Sequence, residues 1–246
     1  MNRISRAATV AVASVVFASA AHAGWVLKGS SEQSIISKGK MKSSWQTGAM
    51  ILDGNANKIY FIDDGRKMMA SGTVEDLCTG MEQMIESTMK SMMKDVPAEQ
   101  REMMQKMMGG GEPPEVELVK KGDGGDVAGF KTVHYQVMAN GELHEDLWLS
   151  NDKALMGDCQ PLMKMIGEFT RCMSTMSSMG SGPGPEASPE YARLFELGMM
   201  VKSVDHGDDD ETMMIAPRDV ADSEFTLPEG YQSVPFSKLF GGMGGQ

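Results

Sequence analysis

Apolar and polar residues alternate in short runs toward both ends of the chain, and they recur at helical spacing between those runs. Alternation sends successive side chains to opposite faces of a strand, whereas the longer spacing draws one stripe along a helix. Residues 33–45 read as one strand. Gly48–Asp53 and Lys58–Asp63 flank the turn Gly54-Asn55-Ala56-Asn57, and Asp64-Gly65 turns into another strand over 66–73. Residues 74–94 lack an internal proline and carry Leu77, Met81, Met84, Ile85, Thr88 and Met92 at helical spacing. Pro97 suits the first turn of a second helix reaching Met108, which Gly109-Gly110-Gly111 and Pro113-Pro114 end.

A second block of strands follows. Phe130–Met138 and Glu142–Ser150 flank Asn140-Gly141, a strong hairpin signal. Pairing across a two-residue loop sets Ala139 opposite Glu142, Val137 opposite His144, and His134 opposite Leu147. His134 then shares a face with Gln136, Leu143 and Leu147, and His144 shares the other with Val133, Tyr135 and Trp148. On that register the two histidines cannot ligate one metal. Residues 161–179 form a helix with the stripe Leu162, Met165, Ile166, Phe169, Cys172, Met173 and Met176. Residues 180–189 read as a flexible linker, 190–197 as a short helix, and 199–204 and 211–216 as strands. Strands joined mainly by hairpins, with helices between the blocks, argue an α+β fold with an antiparallel sheet and helices on one face.

The first 23 residues have the three parts of a secretory leader. Arg3 and Arg6 precede an apolar run over 7–21, which ends in Ala21-His22-Ala23. The run falls short of the roughly 20 residues that span a bilayer. Gly24 after the cleavage site excludes a lipid-bearing N-terminal cysteine. The expected product is a soluble periplasmic chain, with one domain over 24–240 and a disordered tail over 241–246. Loss of the two arginines takes the net charge from −11 to −13, which argues against nucleic acid and anionic lipid surfaces as partners.

Three cysteines remain, Cys78, Cys159 and Cys172. In an oxidising compartment an odd count suggests one disulfide and one spare thiol. Cys159 and Cys172 on a single helix would lie about 20 Å apart, too far to bond. Cys78 therefore pairs with one of them, with Cys172 favoured.

Three stretches taken together resemble a known family: GAMILDGNANKIYFID (48–63), VAGFKTVHYQVMANGELHEDLWLS (127–150) and SEFTLPEGYQSV (223–234). The family consists of exported bacterial domains of unknown function, related to the periplasmic lipoprotein carriers of the LolA/LolB type. Gly129-Phe130 and Trp148 match its hairpin motif, and Phe225, Pro228, Gly230 and Tyr231 match its closing motif. The resemblance implies a curved, half-open antiparallel sheet, a half-barrel, with helices plugging its concave face. In the carriers that hollow holds acyl chains. The methionine-rich helical stretch over 74–109 departs from the carriers' lids.

Methionine is the unusual component: the chain has 26, against 13 leucines, and eleven of them lie between Met68 and Met108. Three chemistries suit them. A flexible thioether can fill a core in place of leucine, or form an adaptable apolar surface for a lipid or a protein segment. Thioethers also ligate Cu(I), for which Met104, Met107 and Met108 are the candidates, or serve as sacrificial oxidation sites. His206 beside Asp208-Asp209-Asp210 reads as a solvated turn. No G-x-S-x-G, Walker, Rossmann or H-E-x-x-H pattern occurs, so no enzymatic activity and no cofactor are expected. The leading expectation is a carrier for an apolar ligand, bound by Met81, Met84, Ile85, Met89 and Met92 with Tyr135 and Trp148 on the sheet. A copper-handling or methionine-sink protein and a structural partner of another envelope protein are the alternatives.

Overall fold

The computed structural model describes residues 24–28, 33–92, 113–177, 183–206 and 212–241. The chain begins its sheet with β1 (Trp25–Lys28), β2 (Gln33–Ser37), β3 (Lys40–Trp45), β4 (Gly48–Asp53), β5 (Lys58–Asp63) and β6 (Met68–Gly72). It continues with β7 (Val116–Val127), β8 (Phe130–Ala139), β9 (Glu142–Ser150), β10 (Met199–Asp205), β11 (Thr212–Pro217) and β12 (Gln232–Ser233). All twelve join one open sheet in the order β12-β6-β5-β4-β3-β2-β1-β11-β10-β9-β8-β7. Every neighbouring pair is antiparallel except β12 with β6. The α+β class and the antiparallel sheet thus hold.

Two meanders make this order. The first steps outward from β1 to β6, each strand lying beside the one before it. The chain then re-enters at the far edge as β7 and steps back until β11 lies against β1. Residues 33–45, expected as one strand, are two. Lys38 and Gly39 both take positive φ (49° and 75°) and close a two-residue turn between them. Lys-Gly lacks the asparagine that marks such turns, so alternation ran through it unbroken.

Five helices are described: α1 (Val74–Met92), α2 (Lys153–Ser177), α3 (Pro189–Ala192), α4 (Leu194–Leu197) and α5 (Phe236–Gly241). At the start of α1 the Thr73 hydroxyl accepts from Asp76 N, while the Asp76 carboxylate accepts from Thr73 N and its hydroxyl. This reciprocal pair satisfies donors that a helix N-terminus leaves open. α2 begins eight residues before Pro161, where the sequence pattern placed its start. Asp152 caps it by accepting from Ala154 N and Leu155 N. Pro161 sits inside the helix, and Gly54 packs on its carbonyl so closely that a Cβ there would lie 2.3 Å from the oxygen.

Within the expected linker, residues 183–189 are described and carry a short 3-10 turn at Pro185–Ala187. Ser188 is buried and its hydroxyl accepts from Glu190 N, capping α3, whose first residue is Pro189. The rest of the linker expectation, the expected helix over 97–108, and the tail beyond Gly241 lie outside the described residues.

The main core lies between the first meander and the helices. Trp25, Ile36, Leu52 and Ile59 occupy one register row and meet Leu77 of α1, Leu155, Cys159 and Leu162 of α2, and Phe236 and Leu239 of α5. Phe61 has Phe169, Phe236 and Phe240 around it, with ring centroids 5.1–6.5 Å apart. On the opposite face of the same strands, Val26, Ile35, Ala49, Ile51 and Ile62 pack under Val220, Phe225, Leu227 and Tyr231. The closing motif is thus a cover for the second face. No helix among the described residues is long and apolar enough to cross a membrane.

Cys78 of α1 and Cys172 of α2 form a disulfide across 94 residues of sequence. A crosslink closing a loop that long removes much of the freedom of the unfolded chain. Reduction, or Cys172→Ser, should therefore lower the unfolding free energy by about 2–4 kcal/mol. Urea denaturation with and without dithiothreitol measures it, and coincident curves would refute a stabilising role for the bond.

Candidate functional site

The apolar stripe of α1 changes character along its length. Val74 and Leu77 are buried, Met81 is half-buried against the core, and Met84 and Ile85 are half-buried further on. Met89 and Met92 continue the helix, but their side chains lie outside the described set, as do Met104, Met107 and Met108 altogether. The stripe thus runs from the packed end of the helix toward apolar surface that the described residues do not fully cover.

Tyr135 and Trp148 are not brought together with each other. β8 and β9 pair as expected at Ala139↔Glu142, but the register shifts by one between Met138 and Val137. His144 is the extra residue. Beyond it Val137 lies opposite Glu145, Tyr135 opposite Leu147, and His134 opposite Trp148. A one-residue slip sends every later side chain to the other face relative to its expected neighbours. The expected groupings of His134 with Leu147, and of His144 with Trp148, are therefore both reversed.

The corrected register builds a polar cluster that sequence reasoning missed. His134, Asp146 and Trp148 share one face, and Lys202 and His206 from β10 and its end reach the same place. His134 Nε2 lies 2.6 Å from Asp146 Oδ1, and His206 Nε2 lies 2.7 Å from Oδ2. Burial alone would raise the Asp146 carboxyl, but hydrogen bonds from His206, His134 and Gln136 outweigh it and hold it below the usual aspartate value. An ionised carboxylate only accepts, so both imidazoles donate to it. The His134 ring stacks on Trp148 at 4.7 Å and 9°, and Lys202 Nζ stands 4.3 Å from the Trp148 ring centroid. Both contacts suit an aromatic face.

Gly124 of β7 makes room for this. A Cβ there would lie 2.5 Å from Thr132 Oγ1 and 2.8 Å from Trp148 Cδ1, so only glycine lets the edge strand pass the indole. The glycine-rich run Gly122-Asp123-Gly124-Gly125 that supplies this glycine is part of a bulged strand.

The chemistry of the cluster is positional. Each imidazole spends its Nε2 on a separate oxygen of one carboxylate, and among the described residues no group of three or more His, Cys, Asp or Glu side chains is arranged to hold a metal ion. Cys159, the free thiol, is fully buried in the core, which pushes its pKa up to about 12 and leaves it protonated and inert. No protein-family model matches the chain, and no curated protein matches it in sequence.

Asp146→Asn should cost about 1–3 kcal/mol of stability, because the charge that both imidazoles address is lost. Equilibrium unfolding followed by tryptophan fluorescence reads both this loss and the movement of Trp148. An unchanged midpoint and spectrum would show that the cluster does not order β8–β10.

Proposed function

We propose that the protein is an exported, non-enzymatic carrier that takes a lipid or other acyl chain between its sheet and its helices. The observation behind this reading is the α1 stripe, buried at Val74 and Leu77 but only half-buried at Met81, Met84 and Ile85. Exposed apolar area next to an aromatic core is where hydrophobic ligands gain affinity, at roughly 25 cal/mol per Å² removed from water. Methionine suits the task, since an unbranched thioether repacks around ligands of differing shape.

In this reading the open sheet curves into a half-barrel, and the methionine-rich helices sit in its hollow. The disulfide between α1 and α2 is consistent with an oxidising compartment. Residues 1–23 act as the leader that sends the chain to the periplasm. Trp148 lies on the His134 face and Tyr135 on the other, so Tyr135 drops out of the binding set while the α1 methionines remain in it.

Titration with dansylated undecanoic acid tests the reading. Saturable, blue-shifted fluorescence enhancement is expected. Met84→Lys combined with Ile85→Lys should weaken it by about tenfold or more, with the far-ultraviolet circular dichroism unchanged. No saturable enhancement, or enhancement untouched by the double substitution, would overturn the proposal. Native mass spectrometry of the protein purified from its own compartment would then distinguish bound copper from a bare polypeptide.

A further inference from the structure

On the face of β8 and β9 away from His134, the buried residues Val137, Leu147 and Leu149 form an apolar strip flanked by Val116, Leu118 and Met200. Tyr191 of α3 and Leu194 and Leu197 of α4 cover it. This cover belongs to the segment 183–197, which the 3-10 turn Pro185–Ala187 introduces. The strip and its cover contain one buried carboxyl group, Glu145, at 8% exposure.

The surroundings of Glu145 are unusual for an acid. The Tyr191 hydroxyl donates to its Oε2 at 3.0 Å. Asp205 lies directly opposite it on β10. Glu186 approaches from the 3-10 turn, and His144 on the same strand as Glu145 pairs with it at 3.5 Å. Asp146 is the next residue along β9. On the outer strand β7, Lys120 is exposed opposite Tyr135, and on α3 Glu190 is engaged by Arg193 at 2.5 Å. A neutral Glu145 fits this site, whereas an ionised one places a buried charge beside three carboxylates.

We infer that segment 183–197 is a proton-operated flap, held on β8–β9 while Glu145 is neutral and loosened when Glu145 ionises, uncovering an apolar sheet face. Burial first, and then Asp205, Glu186 and Asp146, raise the Glu145 carboxyl from 4.5 to about 7, with the Tyr191 hydrogen bond opposing them. Burial and the neighbouring Glu145 raise the Tyr191 phenol well above its usual 10, so it stays protonated and its hydroxyl remains a donor. A carboxyl whose pKa is higher in the closed form than in the open form strengthens closure. That help is complete below the open-form value and is lost as the pH rises through the closed-form value of about 7. The inference stands apart from the carrier proposal, because opening is read without any ligand.

Amide hydrogen exchange on the whole oxidised protein, corrected for intrinsic rates, tests it. Between about pH 6 and about pH 8.5, opening of 183–197 should increase by about tenfold. Glu145→Gln, which keeps the shape and removes the titration, should abolish the increase. Glu186→Gln should keep it and move its midpoint to lower pH. Equal protection at both pH values would overturn the flap, as would an increase retained in Glu145→Gln. An increase shared equally by α2 and β4 would also overturn it, since that is global loosening.

Discussion

The fold depends on the pairing of β1. Four residues, Trp25 to Lys28, hydrogen-bond to β2 on one side and to β11, nearly two hundred residues later, on the other. Without that short strand the two meanders are separate sheets, each with a further open edge. The seam is reinforced from above: Trp25 Nε1 donates to Asp158 Oδ2 on α2, and the Trp25 ring packs on Phe130 at 5.2 Å. A strand this short has little local stability, so its place is set by what packs on it. Trp25 and Val26 are both buried, one on each face of the sheet.

From that seam the helices take their positions. α2 crosses the turns of the first meander where Gly54 lets it close in, and its Asp158 carboxylate also accepts from Lys38 N. α1 is fixed to α2 by the disulfide and is packed by α5, whose Leu239 carbonyl accepts from Arg66 at 2.6 Å. The packed end of α1 is therefore rigidly held. Beyond Leu77 the stripe is only half-buried at Met81, Met84 and Ile85, and this difference along one helix gives the carrier proposal its physical content.

In β9, adjacent residues serve opposite faces. Asp146 ties His134 of β8 to His206 beyond β10, and Glu145 meets the segment that covers the other face. The same backbone step thus carries a carboxylate held ionised by donors and a carboxyl pushed toward neutrality by burial. Alternation along the strand separates them by no more than one residue, yet their surroundings send their pKa values in opposite directions.

The sequence alone determined the parts whose cause is local. Alternation marked β4, β5, β8 and β9, the Asn140-Gly141 turn closed its hairpin, and helical spacing marked α1 and much of α2. A separation of thirteen positions along one helix excluded the Cys159–Cys172 pairing and left Cys78–Cys172 favoured, as found. The tertiary structure decided what depends on partners far along the chain. β1 is too short to announce itself and exists through β11. The bulge at His144 carries no sequence mark, yet it moved Trp148 from Tyr135 to His134. Glu145 reads as one acid among many in an acidic chain, and only the helices folded over it make it a buried group. Local periodicity sets which residues can share a face, but long-range packing decides which face meets what.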